Sequence, residues 1–404
     1  MSMRTAVSRL ILRGFFALFL IAPLSCKRFG TPDPTWQGEG EAKVMRVRWI
    51  KPLVPDLPNF MIPELAEEHD RFNPVETGSA GFDTDMRRAF IGASAGGLYC
   101  IDIRSGKTVW RFDVDDPVGS VPLYDSDRKT VFFGADDGKF YALQARSGRK
   151  LWALDTGSEI RRKALLFNDT LYVINADNTI FALDPESGET VWQYRRAPLK
   201  GFSAAGHSAM VQAKDKIIAG FSDGYIVALD PLVGAAVWTQ DLAASLDSED
   251  DQTVRLVDAD ATPVVVGDIL VGASVDGGLQ GINVNTGNVE WTNLNVTSVT
   301  GLAANGEWVY AARSAFGLTA LNPSTGEELW SARFNAGNLL DPVVYDDLII
   351  VPDSIFGLSA LSAVDGRVLQ RLNPSTGFFA RPSIYGGYLL ILGNGGTLFA
   401  MSVL

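Results

Sequence analysis

One segment recurs along the whole chain, and it restricts the fold more than any other feature. LYCIDIRSGKTVW (98–110), FYALQARSGRKLW (140–152), IFALDPESGETVW (180–192), IVALDPLVGAAVW (226–238), LQGINVNTGNVEW (279–291), LTALNPSTGEELW (318–330) and LSALSAVDGRVLQ (358–370) align without gaps. An eighth copy, LFAMSVL (398–404), stops half-way. Gly106, Gly148, Gly188, Gly234, Gly287, Gly326 and Gly366 follow one another at spacings of 42, 40, 46, 53, 39 and 40. Four residues after the first six stand Trp110, Trp152, Trp192, Trp238, Trp291 and Trp330; the seventh place holds Gln370. Ten residues before each Trp lies a small side chain, Cys100, Ala142, Ala182, Ala228, Gly281 or Ala320, and Ala360 and Ala400 continue that slot. A period of this length belongs to solenoids, propellers and arrays.

The register says which. The half before the glycine alternates on a period of two and is rich in β-formers, which predicts a strand. The glycine supplies a turn with positive φ. The half after it is a second strand carrying the Trp. Such a hairpin cannot bury a face alone. Upstream lies another strand pair in each unit, as in VPLYDSDRKTVFFGADDG and DPVVYDDLIIVPDSIFG. Each unit is thus a four-stranded antiparallel sheet, the size of a propeller blade. The paired slots predict that each indole packs over a small residue, so Cys100 reads as a packed thiol under Trp110 and the tryptophans as core.

The ends predict closure. The last unit lacks its post-glycine strand, and VMRVRWIKPL (44–53) has that strand's pattern with Trp49 in the indole place. The N-terminal strand would complete the last blade and remove an exposed edge. The expectation is an all-β, eight-bladed propeller over residues 44–404, at about 45 residues per blade.

The start of the chain reads as an address. Arg4, Arg9 and Arg13 precede an apolar run, GFFALFLIAPL (14–24), that is short for a membrane span and fits a signal-peptide core. Cys26 follows directly. Residues 1–25 therefore resemble a lipoprotein signal, with Cys26 as the lipidated first residue, although Pro23 stands where such signals have Leu or Val. The alternative is an ordinary signal peptide with a chance Cys. Lys27 after the Cys leans toward the outer membrane. Residues 26–43, rich in Pro, Gly and charge, read as a tether. The proline-rich stretch Lys51–Glu76 is expected to wrap one end of the body.

Composition removes several functions. The net charge of −12 argues against nucleic acid, which needs a basic face. Two His and two Cys argue against a zinc site or a disulfide framework. His69 and His207 read as polar loop residues. No nucleophile elbow or phosphate loop is present. No cofactor, metal or catalytic residue is expected.

The A-L-D-x-x-x-G-x-x-x-W repeat resembles the quinoprotein-type (PQQ-like) propeller repeat, which is specific for fold and not for function. A further stretch, VRLVDADATPVVVGDILVGASVDGGLQGINVNTGNVEW (254–291), resembles the fifth-blade region of the BamB family, lipoproteins of the β-barrel assembly machine. The family pattern, roughly R-L-x-D-x-D-x-T-P-V-V, is met by Arg255, Leu256, Asp258, Asp260, Thr262, Pro263, Val264 and Val265. The resemblance implies a non-enzymatic lipoprotein on the periplasmic face of the outer membrane. It would bind the POTRA domains of the barrel-forming subunit BamA and assist unfolded β-barrel clients.

Spacing points to the same region independently. The two widest intervals are consecutive, with the excess in Arg195–His207 and Asp241–Asp260. Neighbouring blades bring such insertions together. Asp258 and Asp260 are expected to accept charge-assisted hydrogen bonds from a basic partner; the alternative is solvated turn acids. Arg255 is expected either in that interface or in an ion pair with one of the acids. The family's Leu-x-Leu-Arg segment aligns with Phe202, which keeps an apolar anchor, while Ala204 and Ala205 depart from Leu and Arg. In a shifted alignment Leu199 and Lys200 fill those roles. Two rivals remain: a propeller binding another envelope protein or polysaccharide, and a quinone-dependent dehydrogenase. The latter lacks room for cap loops and the adjacent cysteines such enzymes often carry.

Overall fold

A computed structural model describes residues 42–53, 75–197, 208–242, 259–274, 277–334, 337–355, 357–374 and 376–404. Among them are thirty-two strands, β1–β32 in chain order, in eight four-stranded antiparallel sheets. Blade 1 contains β2 (Gly81–Asp83), β3 (Arg88–Gly92), β4 (Leu98–Asp102) and β5 (Thr108–Phe112), ordered as they occur from the channel outward. Blades 2 to 7 repeat this order over 123–155, 165–195, 211–241, 264–293, 299–332 and 343–372. Blade 8 is composite. β30 (Ser383–Tyr385), β31 (Tyr388–Gly393) and β32 (Thr397–Val403) are completed by β1 (Met45–Pro52) as the outer strand. Met45 lies opposite Val403 and Trp49 opposite Ala400, so the ring closes as the half-motif at 398–404 anticipates.

Eight apolar cores lie between neighbouring blades. The period of two in the strand before each glycine does not separate buried from exposed residues. In β4, Leu98, Tyr99, Cys100 and Ile101 are all buried. Leu98 and Cys100 face the core shared with blade 2, whereas Tyr99 and Ile101 face the core shared with blade 8. The alternation assigns side chains to two interiors because each sheet is covered on both faces. Only the outermost strands have an alternating exposed face, as in β13 (Thr190–Arg195).

The small-residue slot lies opposite the indole in seven of the eight blades: Trp110 pairs with Cys100, Trp152 with Ala142, Trp192 with Ala182, Trp238 with Ala228, Trp291 with Gly281, Trp330 with Ala320 and, in blade 8, Trp49 with Ala400. Each indole also reaches forward to the next blade. Trp49, Trp110, Trp152, Trp192, Trp238, Trp291 and Trp330 lie on Gly106, Gly148, Gly188, Gly234, Gly287, Gly326 and Gly366, respectively. At Gly188, φ is +76° and a Cβ would sit 2.7 Å from Cδ2 of Trp152, so both backbone and space demand glycine. Six of these indoles donate Nε1–H to the carbonyl three residues before that glycine, for example Trp49 to Ile103 (2.8 Å) and Trp238 to Val284 (2.9 Å). Trp330 Nε1 is buried without an acceptor, and the equivalent carbonyl, Ala363, accepts the hydroxyl of Tyr310 at 3.2 Å.

Gln370 now has an explanation. An indole there would face the turn glycine of blade 8, but that blade has no such turn, because its third and fourth strands come from opposite ends of the chain. Buried Gln370 instead accepts Met45 N–H through Oε1 (2.7 Å) and donates Nε2–H to Met45 O (3.1 Å). Two further backbone bonds secure the seam, Ala42 N–H to Leu369 O (3.1 Å) and Leu404 N–H to Val44 O (2.9 Å).

Candidate partner-binding face

Strand directions alternate in each blade. The crossover between blades and the turn between second and third strands therefore open on one face, and the glycine turns open on the other. Two crossovers on the first face, 196–210 and 242–263, exceed the others that follow blade 1, such as 113–122, 156–164 and 373–382.

Both long crossovers are fastened to one element, the turn Ser222-Asp223-Gly224 of blade 4. The first leaves at Arg196, whose guanidinium pairs with Asp223 and stacks 4.0 Å over the ring of Tyr225. Arg196 N–H is held by Asn178 O (3.1 Å), and Asn178 Nδ2 donates to Ser222 Oγ (2.7 Å). The crossover returns at Ser208, which donates its backbone N–H to Gly220 O (3.1 Å) and accepts Gly220 N–H on Oγ (2.7 Å). The second leaves at Leu242, with N–H on Gly224 O (3.1 Å), and returns at Ala259, with N–H on Phe221 O (3.2 Å). Thr262 Oγ1 accepts Ala209 N–H (3.2 Å) and so ties the two return points together. The charge of Asp241, followed by its hydrogen bond, raises the Tyr225 phenol above its ordinary range.

Of the residues expected to bind a partner, Asp260 is described. Its side chain is half-buried, and its backbone carbonyl accepts Arg162 Nη2 at 3.5 Å. Leu199, Lys200, Phe202, Arg255 and Asp258 lie outside the described residues, as do Ala204, Ala205, His207, His69 and Cys26. Within the D-A-T-P motif, Thr262 has the staple role above, which the linear pattern does not reveal. Ala259 and Ala261 are buried packing residues. Cys100 is fully buried, and burial pushes its thiol up to about 12. Among the described residues no group of three or more His, Cys, Asp or Glu is arranged to hold a metal.

A cavity of ≈ 1130 Å³ runs along the ring axis, walled by the inner strands and the residues leading into them. Its basic wall residues are Arg161, Arg162, Lys163 and Arg381; its acidic ones are Glu159 and Asp341. Arg161 is held by Asp136 through two bonds of 3.0 Å and by Glu159 at 3.4 Å. The carboxylate of Asp341 lies against Gly301, where a Cβ would be 2.3 Å from Oδ1.

The family model described as outer membrane protein assembly factor BamB matches residues 64–155, 94–318 and 301–404. The chain is 30% identical over 207 residues to the outer membrane protein assembly factor BamB of Salmonella typhimurium, which covers 50% of this chain and 52% of that protein. It is 24% identical over 249 residues to the same factor of Shewanella oneidensis, covering 61% of this chain and 62% of the relative. These matches thus span about half to three-fifths of the curated relatives' length. Among solved structures, BamB from Moraxella catarrhalis superposes with a TM-score of 0.70 at 25% identity, covering 81% of this chain and 97% of that one.

Proposed function

The chain belongs to the BamB family of outer membrane protein assembly factors, and on that premise we propose that it is a non-enzymatic adaptor in β-barrel insertion. It binds the POTRA region of the barrel-forming subunit BamA through the crossovers on either side of blade 4. The observation carrying this reading is the common anchorage of both long crossovers on Ser222-Asp223-Gly224, which makes them neighbours on one face. A rigid frame presenting adjacent loops is a usual form of protein-binding surface. Asp258 and Asp260 supply its negative charge, with Arg255, Phe202 and the Leu199-Lys200 pair completing the contact. Lipid on Cys26 holds the chain at the periplasmic side of the outer membrane after removal of residues 1–25, with 26–43 as tether and 44–404 as propeller.

The test is affinity purification of the tagged chain from native envelopes, followed by mass spectrometry, in parallel with Asp258→Lys plus Asp260→Lys. A POTRA-containing barrel protein should dominate the wild-type eluate and fall about tenfold or more in the charge reversal, with circular dichroism and melting temperature nearly unchanged. Equal recovery removes the acids from the interface. Recovery of a different envelope protein, or of polysaccharide, in place of the barrel subunit refutes the adaptor reading.

A further inference from the structure

The axial cavity carries a charge opposite to that of the chain as a whole. In seven blades the inner strand has three residues, and the residue two places before it turns toward the axis. In blades 1, 2, 4 and 5 this position is Ser79, Val121, Ala209 or Thr262. In blades 3 and 8 it is Lys163, preceding β10 (Leu165–Phe167), and Arg381, preceding β30. Among the described residues neither Lys163 nor Arg381 has an ion-pair partner. Asp341, the equivalent residue of blade 7, rests on Gly301 instead. Arg161 is satisfied by Asp136 and Glu159.

We propose that this end of the axial cavity is an oxyanion-binding site, in which Lys163 and Arg381 grip one soluble, multivalent phosphate or polycarboxylate group between blades 3 and 8. Three considerations support it. Within a chain of net charge −12, this cavity is a local positive region, with Arg161, Arg162, Lys163 and Arg381 in its wall against Glu159 and Asp341. The cavity walls exclude part of the bulk solvent around Lys163 and Arg381, so their field on a group lying between them is screened less than at an open surface. A guanidinium fork matches the paired oxygens of phosphate or carboxylate, and the ammonium adds a compact second charge. Lys163 also behaves as an uncompensated charge. Its side chain is open to channel water, yet the surrounding walls remove much bulk solvent, and that burial, reinforced by Arg381, holds its ammonium below the ordinary lysine value. A bound oxyanion would reverse the shift. Lys163 and Arg381 are not among the residues proposed to bind the protein partner, although Arg162 and Thr262 in the same wall contact the crossovers that do.

Inorganic pyrophosphate is the probe. Titrated calorimetrically into the mature chain at low salt, it should bind and should raise the melting temperature. Lys163→Gln plus Arg381→Gln should weaken binding about tenfold or more and abolish the thermal shift. The unliganded double variant should melt no lower than wild type, since the substitutions remove like-charge repulsion. Arg381→Lys, which keeps the charge but loses the fork, should bind with an affinity between those of wild type and the double variant, and Lys107→Gln in an exposed glycine turn should leave it unchanged. Absence of pyrophosphate binding by the wild type, or equal affinity in the double variant, overturns the proposal. So does cosedimentation with phosphatidylglycerol vesicles in the absence of any response to soluble pyrophosphate, which would assign these cations to a lipid surface.

Discussion

Replacing Gln370 by Ala should open the ring at its seam. The side chain satisfies both backbone polar groups of buried Met45, at 2.7 and 3.1 Å. Its removal strands a buried N–H and a buried C=O, each costing about 1–3 kcal/mol. The joint cost is about 2–6 kcal/mol. At 1.4 kcal/mol per factor of ten, the opening equilibrium of β1 should rise by roughly thirtyfold to about twenty-thousandfold. Because β1 is joined to the rest of blade 8 along one edge only, the effect should be local before it is global. Hydrogen exchange read by mass spectrometry will show it as faster exchange in the peptide covering Met45–Pro52, with blade 4 protected as in wild type. Gln370→Trp, which restores the repeat consensus, should also destabilise, since no turn glycine faces that position. Acceleration in β1 below about fivefold, or equal acceleration in blade 4, would refute the seam as argued. A stabilising Gln370→Trp would do the same.

Two further perturbations test the packing and the buried charge. Gly188→Ala imposes a left-handed conformation on a side chain pressed against Trp152, so the urea midpoint should fall by the equivalent of about 2–4 kcal/mol; a loss below about 1 kcal/mol would show that the indole moves aside freely. Glu76 is buried, with Ser94 N–H and Oγ on its carboxylate at 2.9 and 2.5 Å, and burial raises its pKa above the ordinary glutamate value despite those bonds. A raised carboxyl contributes stability that is full below the unfolded pKa and is lost as pH climbs through the folded one. The melting temperature of Glu76→Gln minus that of wild type should therefore become more positive between pH 4 and pH 7, and a flat or falling difference would contradict the burial argument.

Much of the fold is written in linear form because blades are local. The indole and the small residue ten before it are cross-strand partners in one hairpin turned by the glycine, so their fixed spacing reports their contact directly. Closure is also legible, since a missing strand at one end and a spare one at the other have a single economical solution. Contacts between blades are not legible in this way. The reach of Trp152 to Gly188, or of Trp49 to Ile103 O, joins residues a full repeat apart, and period alone does not say which neighbour an indole covers. Gln370 reads as a lapse in the pattern until the composite blade shows what it holds. The alternation in β4 correctly signals a strand, but it sorts Tyr99 and Cys100 between two cores rather than between core and water. The long crossovers are detectable as widened glycine intervals, yet their common anchor at Asp223-Gly224 depends on Arg196 and Leu242, which no motif marks. Lys163 and Arg381 escape notice because the inner strands share a register without sharing a residue type.

The composite blade also has a mechanical consequence. In an eight-membered ring, blade 4 stands diametrically across from blade 8. The chain before β1 runs along the outer strand of blade 7, where Ala42 bonds Leu369. Any pull transmitted through the N-terminus is therefore applied at the rim farthest from the two long crossovers. In the tethered arrangement proposed above, a body suspended at that point would pivot about blades 7 and 8 and sweep its widest arc at blade 4. The surface bearing the two long crossovers would then have the longest lever arm, while the load would fall on the seam that Gln370 guards.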